Sequence, residues 1–116
     1  MNERLESPHF PYLPLRLEVR NRAHAVEALI DTGFDGDLAL PPSLLANGEP
    51  DDYHRWTLAD GSHVYAPYFF GMVHVGDVGS VEAIITALGD EPLIGRGITD
   101  RFRLILDHGE RVIVEA

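Results

Sequence analysis

Ala28-Leu29-Ile30-Asp31-Thr32-Gly33-Phe34-Asp35-Gly36 is the stretch on which the reading of this chain turns. An apolar run delivers a carboxylate into a turn made of Thr and Gly. An ionised group at the end of a buried strand is unfavourable unless a partner or a task keeps it there. Two readings fit Asp31. It is either a carboxylate held for acid–base chemistry or a turn residue of the ordinary kind, since Asp and Gly both favour turns. The rest of the chain decides between them.

Upstream, Leu15, Leu17 and Val19 alternate with Arg16, Glu18 and Arg20, the period-2 pattern of a half-buried strand. Asn21-Arg22 turns the chain and His24 to Ile30 returns, so a hairpin ends at Asp31. Pro8, Pro11 and Pro14 argue against a regular helix or a central strand before it. Residues 1–14 therefore read as an irregular extended arm and 15–116 as a single domain.

Downstream, Leu38-Ala39-Leu40 is a short strand closed by Pro41-Pro42, and Ser43 to Gly48 suits a helical turn ended by glycine. Tyr53 to Val75 is rich in aromatic and β-branched residues and is broken at Asp60-Gly61, a two-residue hairpin signal. Its arms are His54 to Ala59 and Ser62 to Pro67. Phe69 to Val75 and Val78 to Ala87 pair about Gly76-Asp77. Leu93-Ile94-Gly95 is a brief apolar element, Arg96 to Phe102 the one proper helix, and Leu104–Asp107 with Arg111–Glu115 a last hairpin over His108-Gly109. The sum is a mostly-β domain of short strands, expected to form a closed or partly closed barrel with one short C-terminal helix.

Composition narrows the function classes. A length of 116 residues suits one core and not two. No apolar run approaches the roughly 18 residues that cross a bilayer, and the N-terminus lacks a signal-peptide pattern. The expectation is a soluble, cytoplasmic protein that does not bind membranes. Zero cysteines exclude disulfides, thiolate chemistry and Cys-based zinc sites. A formal charge of −10 argues against nucleic acid as a partner. His54, His63 and His74 lie on expected strands, but no spacing forms His-x-His or His-x-x-x-His. Asp35-Gly36-Asp37 lacks the alternating ligands and closing Glu of a calcium loop. No metal and no cofactor is expected.

Asp31-Thr32-Gly33, a Gly-tipped hairpin in mid-chain, and Leu93-Ile94-Gly95-Arg96 before a short helix together resemble the retropepsin-like aspartic proteases (clan AA). Leu29 to Gly36 is similar to the prokaryotic single-domain branch, and the resemblance covers roughly residues 24 to 107. It implies an aspartic endopeptidase that hydrolyses peptide bonds in extended segments. Two carboxylates about 3 Å apart share one proton and activate a water between them. In the family's terms Asp31 is catalytic, the Thr32 hydroxyl bonds across to a second copy, and Gly33 leaves room for substrate backbone. This sequence carries one Asp followed by Thr or Ser and then Gly, so a complete site requires a homodimer with Asp31 of each chain on a two-fold axis.

The same resemblance implies a largely buried ion pair between Asp35 and Arg96 that ties the active-site loop to the helix. Leu58, Ala59, Asp60, Gly61 and Ser62 correspond to the flap that closes over substrate. Phe34, Trp56 and Ile94 are candidates for the substrate pocket. Leu5 to Leu13 or Val112 to Ala116 correspond to the terminal segments that close the family's dimers. Phe34 departs from the pattern, because viral relatives usually carry a small residue there. The alternative reading is a catalytically weak or inactive peptide- or protein-binding module on the same fold, and a weaker one is a structural β-barrel subunit with an incidental Asp-Thr-Gly.

Overall fold

Every second side chain of Tyr12–Val19 is buried: Leu13, Leu15, Leu17 and Val19 enter the core while Arg16 and Glu18 face solvent. This strand is β2 of ten in a computed structural model of the chain, which describes residues 4–45 and 48–116. The others are β1 (Arg4–Ser7), β3 (Arg22–Ile30), β4 (Leu38–Leu40), β5 (Asp52–Thr57), β6 (His63–Val75), β7 (Gly79–Ala87), β8 (Leu93–Ile94), β9 (Arg103–Asp107) and β10 (Arg111–Glu115). A 3-10 turn covers Pro42–Leu45, and α1 spans Arg96–Thr99. The helical turn expected over Ser43 to Gly48 is thus that 3-10 turn, and residues 46 and 47 lie outside the described residues.

Seven strands form one sheet in the order β2-β3-β8-β4-β7-β6-β5. It curls until β2 meets β6 at Arg16–Glu18, so six strands close into a ring and β5 stands off it as a flange. Inside lie the alternating residues of β2, with Val73 and Val75 from β6, Val81, Ala83 and Ile85 from β7, and Ile98 from α1. Each fully buried Leu, Ile or Val contributes roughly 1.5–3 kcal/mol relative to exposure, so this ring interior dominates the fold's stability. A second sheet, β1-β10-β9, packs Val112 and Val114 onto the same core.

The proline-rich start is more regular than its composition suggests. Arg4–Ser7 pairs antiparallel with β10, and β2 already begins at Tyr12, with Pro14 opposite Glu27. Pro14 is tolerated because β6 reaches β2 at Arg16–Glu18 alone, leaving β2 one hydrogen-bonded neighbour at the proline. Pro67 lies inside β6 on the same logic: it faces Tyr53 of β5, and pairing to β7 starts one residue later at Tyr68. The two arms expected on either side of Pro67 are therefore one 13-residue strand. Of the terminal segments expected to close a dimer, Leu5 to Leu13 or Val112 to Ala116, the parts Leu5–Ser7 and Val112–Val114 pair with each other within the chain.

The expected helix over Arg96 to Phe102 is also shorter. Thr99 and Asp100 donate i→i−4 bonds to Gly95 and Arg96, but Arg101 and Phe102 donate i→i−3 bonds to Ile98 and Thr99. The tightened turn swings Phe102 against the core and launches β9.

Candidate active site

β3 carries Ala28, Leu29 and Ile30 to the edge of the core, and the chain then loops through residues 31–37 to β4. Between β3 and β4 lies β8, parallel to the first and antiparallel to the second. The loop must therefore bridge the end of β8, and its backbone is bound to the residues that follow. Asp31 N–H donates to Ile94 O at 3.0 Å, Gly95 N–H to Asp37 O at 2.9 Å, Arg96 N–H to Phe34 O at 2.9 Å and Gly97 N–H to Gly36 O at 3.0 Å. Such close approach depends on glycine. A Cβ on Gly95 would lie 2.2 Å from Gly36 O, and one on Gly97 would lie 1.9 Å from Asp37 Oδ1. Four backbone bonds hold the loop; no side-chain ion pair is required.

Within the loop, Asp31 is half-buried and its Oδ1 accepts the Gly33 N–H at 3.0 Å, while Phe34 N–H donates to Asp31 O. The carboxylate is thereby oriented by its own turn, with its second oxygen uncommitted among the described residues. Thr32 and Gly33 are exposed. Thr32 lines a groove with Ile30, Phe102, Leu104 and Leu106.

The Asp35–Arg96 pair expected from the resemblance is absent among the described residues. Asp35 is exposed, and Arg96 Nη2 instead lies 3.4 Å from Asp100 Oδ2, with both side chains more than half exposed. The inward carboxylate is Asp37. Its Oδ2 accepts the Ile84 N–H at 2.8 Å and so ties the loop to β7, occupying the space that Gly97 leaves. The sequence signal for this arrangement is the second acid of Asp35-Gly36-Asp37 combined with Gly95 and Gly97.

Over the loop stands the β5–β6 hairpin. The Trp56 and Phe34 rings lie 5.3 Å apart at 50°, and the contact continues as an aromatic strip through His54, Tyr68 and Phe70. Residues 58–62, expected as a flap, are exposed at the hairpin tip, and Leu58 is 41% exposed. The loop there is three residues rather than two. Gly61 N–H donates to Leu58 O and Leu58 N–H to Ser62 O, with Gly61 at φ +86 in the left-handed region. Asp60 Oδ1 accepts from both the Ser62 hydroxyl and the Ser62 N–H, which holds its carboxyl below the usual carboxylate range. Of the expected pocket residues, Phe34 and Trp56 meet, but Ile94 is 1% exposed in the core and offers no surface to a ligand.

A ringed sheet with a short strand inserted under an Asp-Thr-Gly loop is the retropepsin-like fold, and comparison with solved structures shows the same. The chain is similar to a retropepsin-like aspartic protease from Rickettsia conorii, with a TM-score of 0.67 and 19% identity over 99% of this chain and 92% of that one. It is also similar to the simian foamy virus (mac) protease, with a TM-score of 0.52 and 19% identity over 75% of this chain and 91% of that one. No protein-family model matches the sequence. No curated protein matches it either. No helix among the described residues is long and apolar enough to cross a membrane.

Proposed function

We propose that this chain is one half of a homodimeric aspartic endopeptidase acting on extended peptide segments, in the cytoplasm. The observation that carries the reading is the Asp31-Thr32-Gly33 turn: a half-buried carboxylate, oriented by Gly33 N–H and clamped by the backbone of Ile94–Gly97, on a retropepsin-like fold. One such turn per chain supplies one carboxylate. A two-fold axis supplies the second, because it brings identical residues together.

In the dimer the two Asp31 carboxyls share a single proton, since like charges at about 3 Å do not both ionise. The ionised member takes a proton from the water between them, which attacks the scissile carbonyl. The protonated member returns a proton to the leaving amine. Thr32 joins the two loops, and Gly33 admits the substrate backbone. The β5–β6 hairpin acts as the flap, with Leu58 to Ser62 closing over an extended peptide that adds as a strand beneath it. Phe34 and Trp56 form the apolar wall of the nearest side-chain pocket.

Asp31→Asn tests the reading. The variant should lose at least about a thousandfold of the cleavage of a mixed peptide library, with circular dichroism and sedimentation unchanged. Retained cleavage overturns the assignment. If the parent chain binds a mimic of the tetrahedral intermediate without releasing products, the binding-module reading replaces it.

A further inference from the structure

We propose that the substrates are basic segments, extended peptides whose Arg and Lys side chains lie over an aromatic strip leading away from the Asp31 loop. This rests on the protease reading and names its substrate class. The strip starts at Phe34, whose N–H donates to Asp31 O. It passes through Trp56, His54 and Tyr68 to Phe70 in ring-to-ring steps of 5.3, 6.2, 4.3 and 5.6 Å. Such a path matches roughly six residues of extended chain at about 3.3 Å each. Asp52, His54 and Trp56 alternate along one face of β5, the face shared with Tyr68, which stands opposite Asp52. Beyond Phe70 the same face continues as an open groove with Met72, Glu82 and Ile84. His54 is exposed and Phe70 is 60% exposed, so the strip is open to a guest.

The electrostatics of this face select cations. Aromatic ring faces are the negative side of a quadrupole and attract guanidinium and ammonium groups. Two exposed carboxylates flank the rings, Asp52 beside Tyr68 and Glu82 in the groove beyond Phe70. Among the described residues, the chain's own ion pairs use other carboxylates. Its cation–π contact, Arg20 over Phe69, likewise uses a ring outside the strip. Both kinds of partner therefore stay open to a cation from outside, and a net charge of −10 draws basic chains toward them. Trp56 is also free to adjust. Its Nε1 is shielded from solvent without an acceptor among the described residues, so the indole tilts without breaking a hydrogen bond. Because a two-fold supplies a second strip, basic residues are read on both sides of the scissile bond.

Trp56 is the chain's single tryptophan, so the strip carries its own fluorescent reporter. The test compares a peptide flanked by Arg on both sides of its core with the same peptide carrying Gln at those positions. In competition, the ratio of kcat/KM values does not depend on how much dimer is present. It should favour the Arg peptide about tenfold, roughly threefold for each cation, and narrow as salt rises. Glu82→Gln and Phe70→Leu, both at exposed positions, should each cut the ratio about twofold to threefold with an unchanged circular dichroism spectrum. In the Asp31→Asn chain, Trp56 emission should shift saturably on titration, with a Kd about tenfold lower for the Arg peptide. Equal cleavage of the two peptides, an equal Trp56 response to both, or a ratio unmoved by either substitution overturns the proposal. If the parent chain cleaves both peptides equally, the strip is wrong and the protease reading survives. A Trp56 response selective for the Arg peptide, without cleavage by the parent chain, supports the strip and counts against the protease.

Discussion

The Asp37 carboxylate accepts the Ile84 N–H at 2.8 Å in the space where any residue larger than glycine at position 97 would collide. Removing the acceptor leaves a part-buried backbone donor unpaired, which costs about 1–3 kcal/mol. Asp37→Ala should therefore lower the unfolding free energy obtained from urea denaturation by that amount, and Gly97→Ala should do the same by displacing the carboxylate. The contrast is Asp35→Ala. Asp35 is exposed and without an ion-pair partner among the described residues, so its loss should change stability by less than about 0.5 kcal/mol. Breaking a buried Asp–Arg pair would instead cost about 3–5 kcal/mol, a difference that equilibrium denaturation resolves easily. The Arg96–Asp100 pair, with 55% and 61% of its side chains exposed, belongs with the small effects.

Elements respond to pH where their turns are built on carboxylates. At the tip of the β5–β6 hairpin, Asp60 accepts two hydrogen bonds from Ser62, and these lower its pKa from the ordinary value near 3.8. A depressed carboxyl contributes its stabilisation fully above the unfolded-state pKa and loses it as pH falls through the folded one. The tip should thus hold its turn at pH 5 and loosen below about pH 4. Amide exchange at Ser62, corrected for intrinsic rate, should show protection falling over that window, and Asp60→Asn should flatten the dependence. Asp107, lowered by Arg111 and then by His108, gives the β9–β10 hairpin the same direction of change.

The same elements show how far the sequence alone reaches. Strands with strict alternation, such as β2 from Leu15 onward, and turns with glycine at a left-handed position were legible because their signals are local. The order of motifs around Asp31 was legible because loop and clamp each have a compact sequence form. Pro14 and Pro67 misled because a proline's effect depends on which side of the strand has a neighbour, and pairing is not local. Asp35 and Asp37 differ by two residues in the sequence. Which one turns inward is decided by Gly97, some sixty positions away, and by the free N–H of Ile84. Ile94 fills the core because β8 is flanked by two strands, a burial its neighbours in sequence do not reveal.

At the scale of the whole molecule, assembly sets a chain of charge −10 against an identical copy. Self-repulsion of this kind is long-ranged and is screened over a Debye length of about 10 Å at 0.1 M salt. Ion pairs between exposed side chains of two copies contribute at most about 1 kcal/mol each. Net repulsion therefore outweighs local attraction, and added salt should strengthen the dimer rather than weaken it. Sedimentation velocity at low micromolar concentration, from 10 mM to 500 mM salt, should show the dimer fraction rising with salt. On the proposed dimeric protease, peptide cleavage per chain should rise with it. A dimer that dissociates on adding salt would mean that ion pairs, not apolar contacts, hold the two copies together.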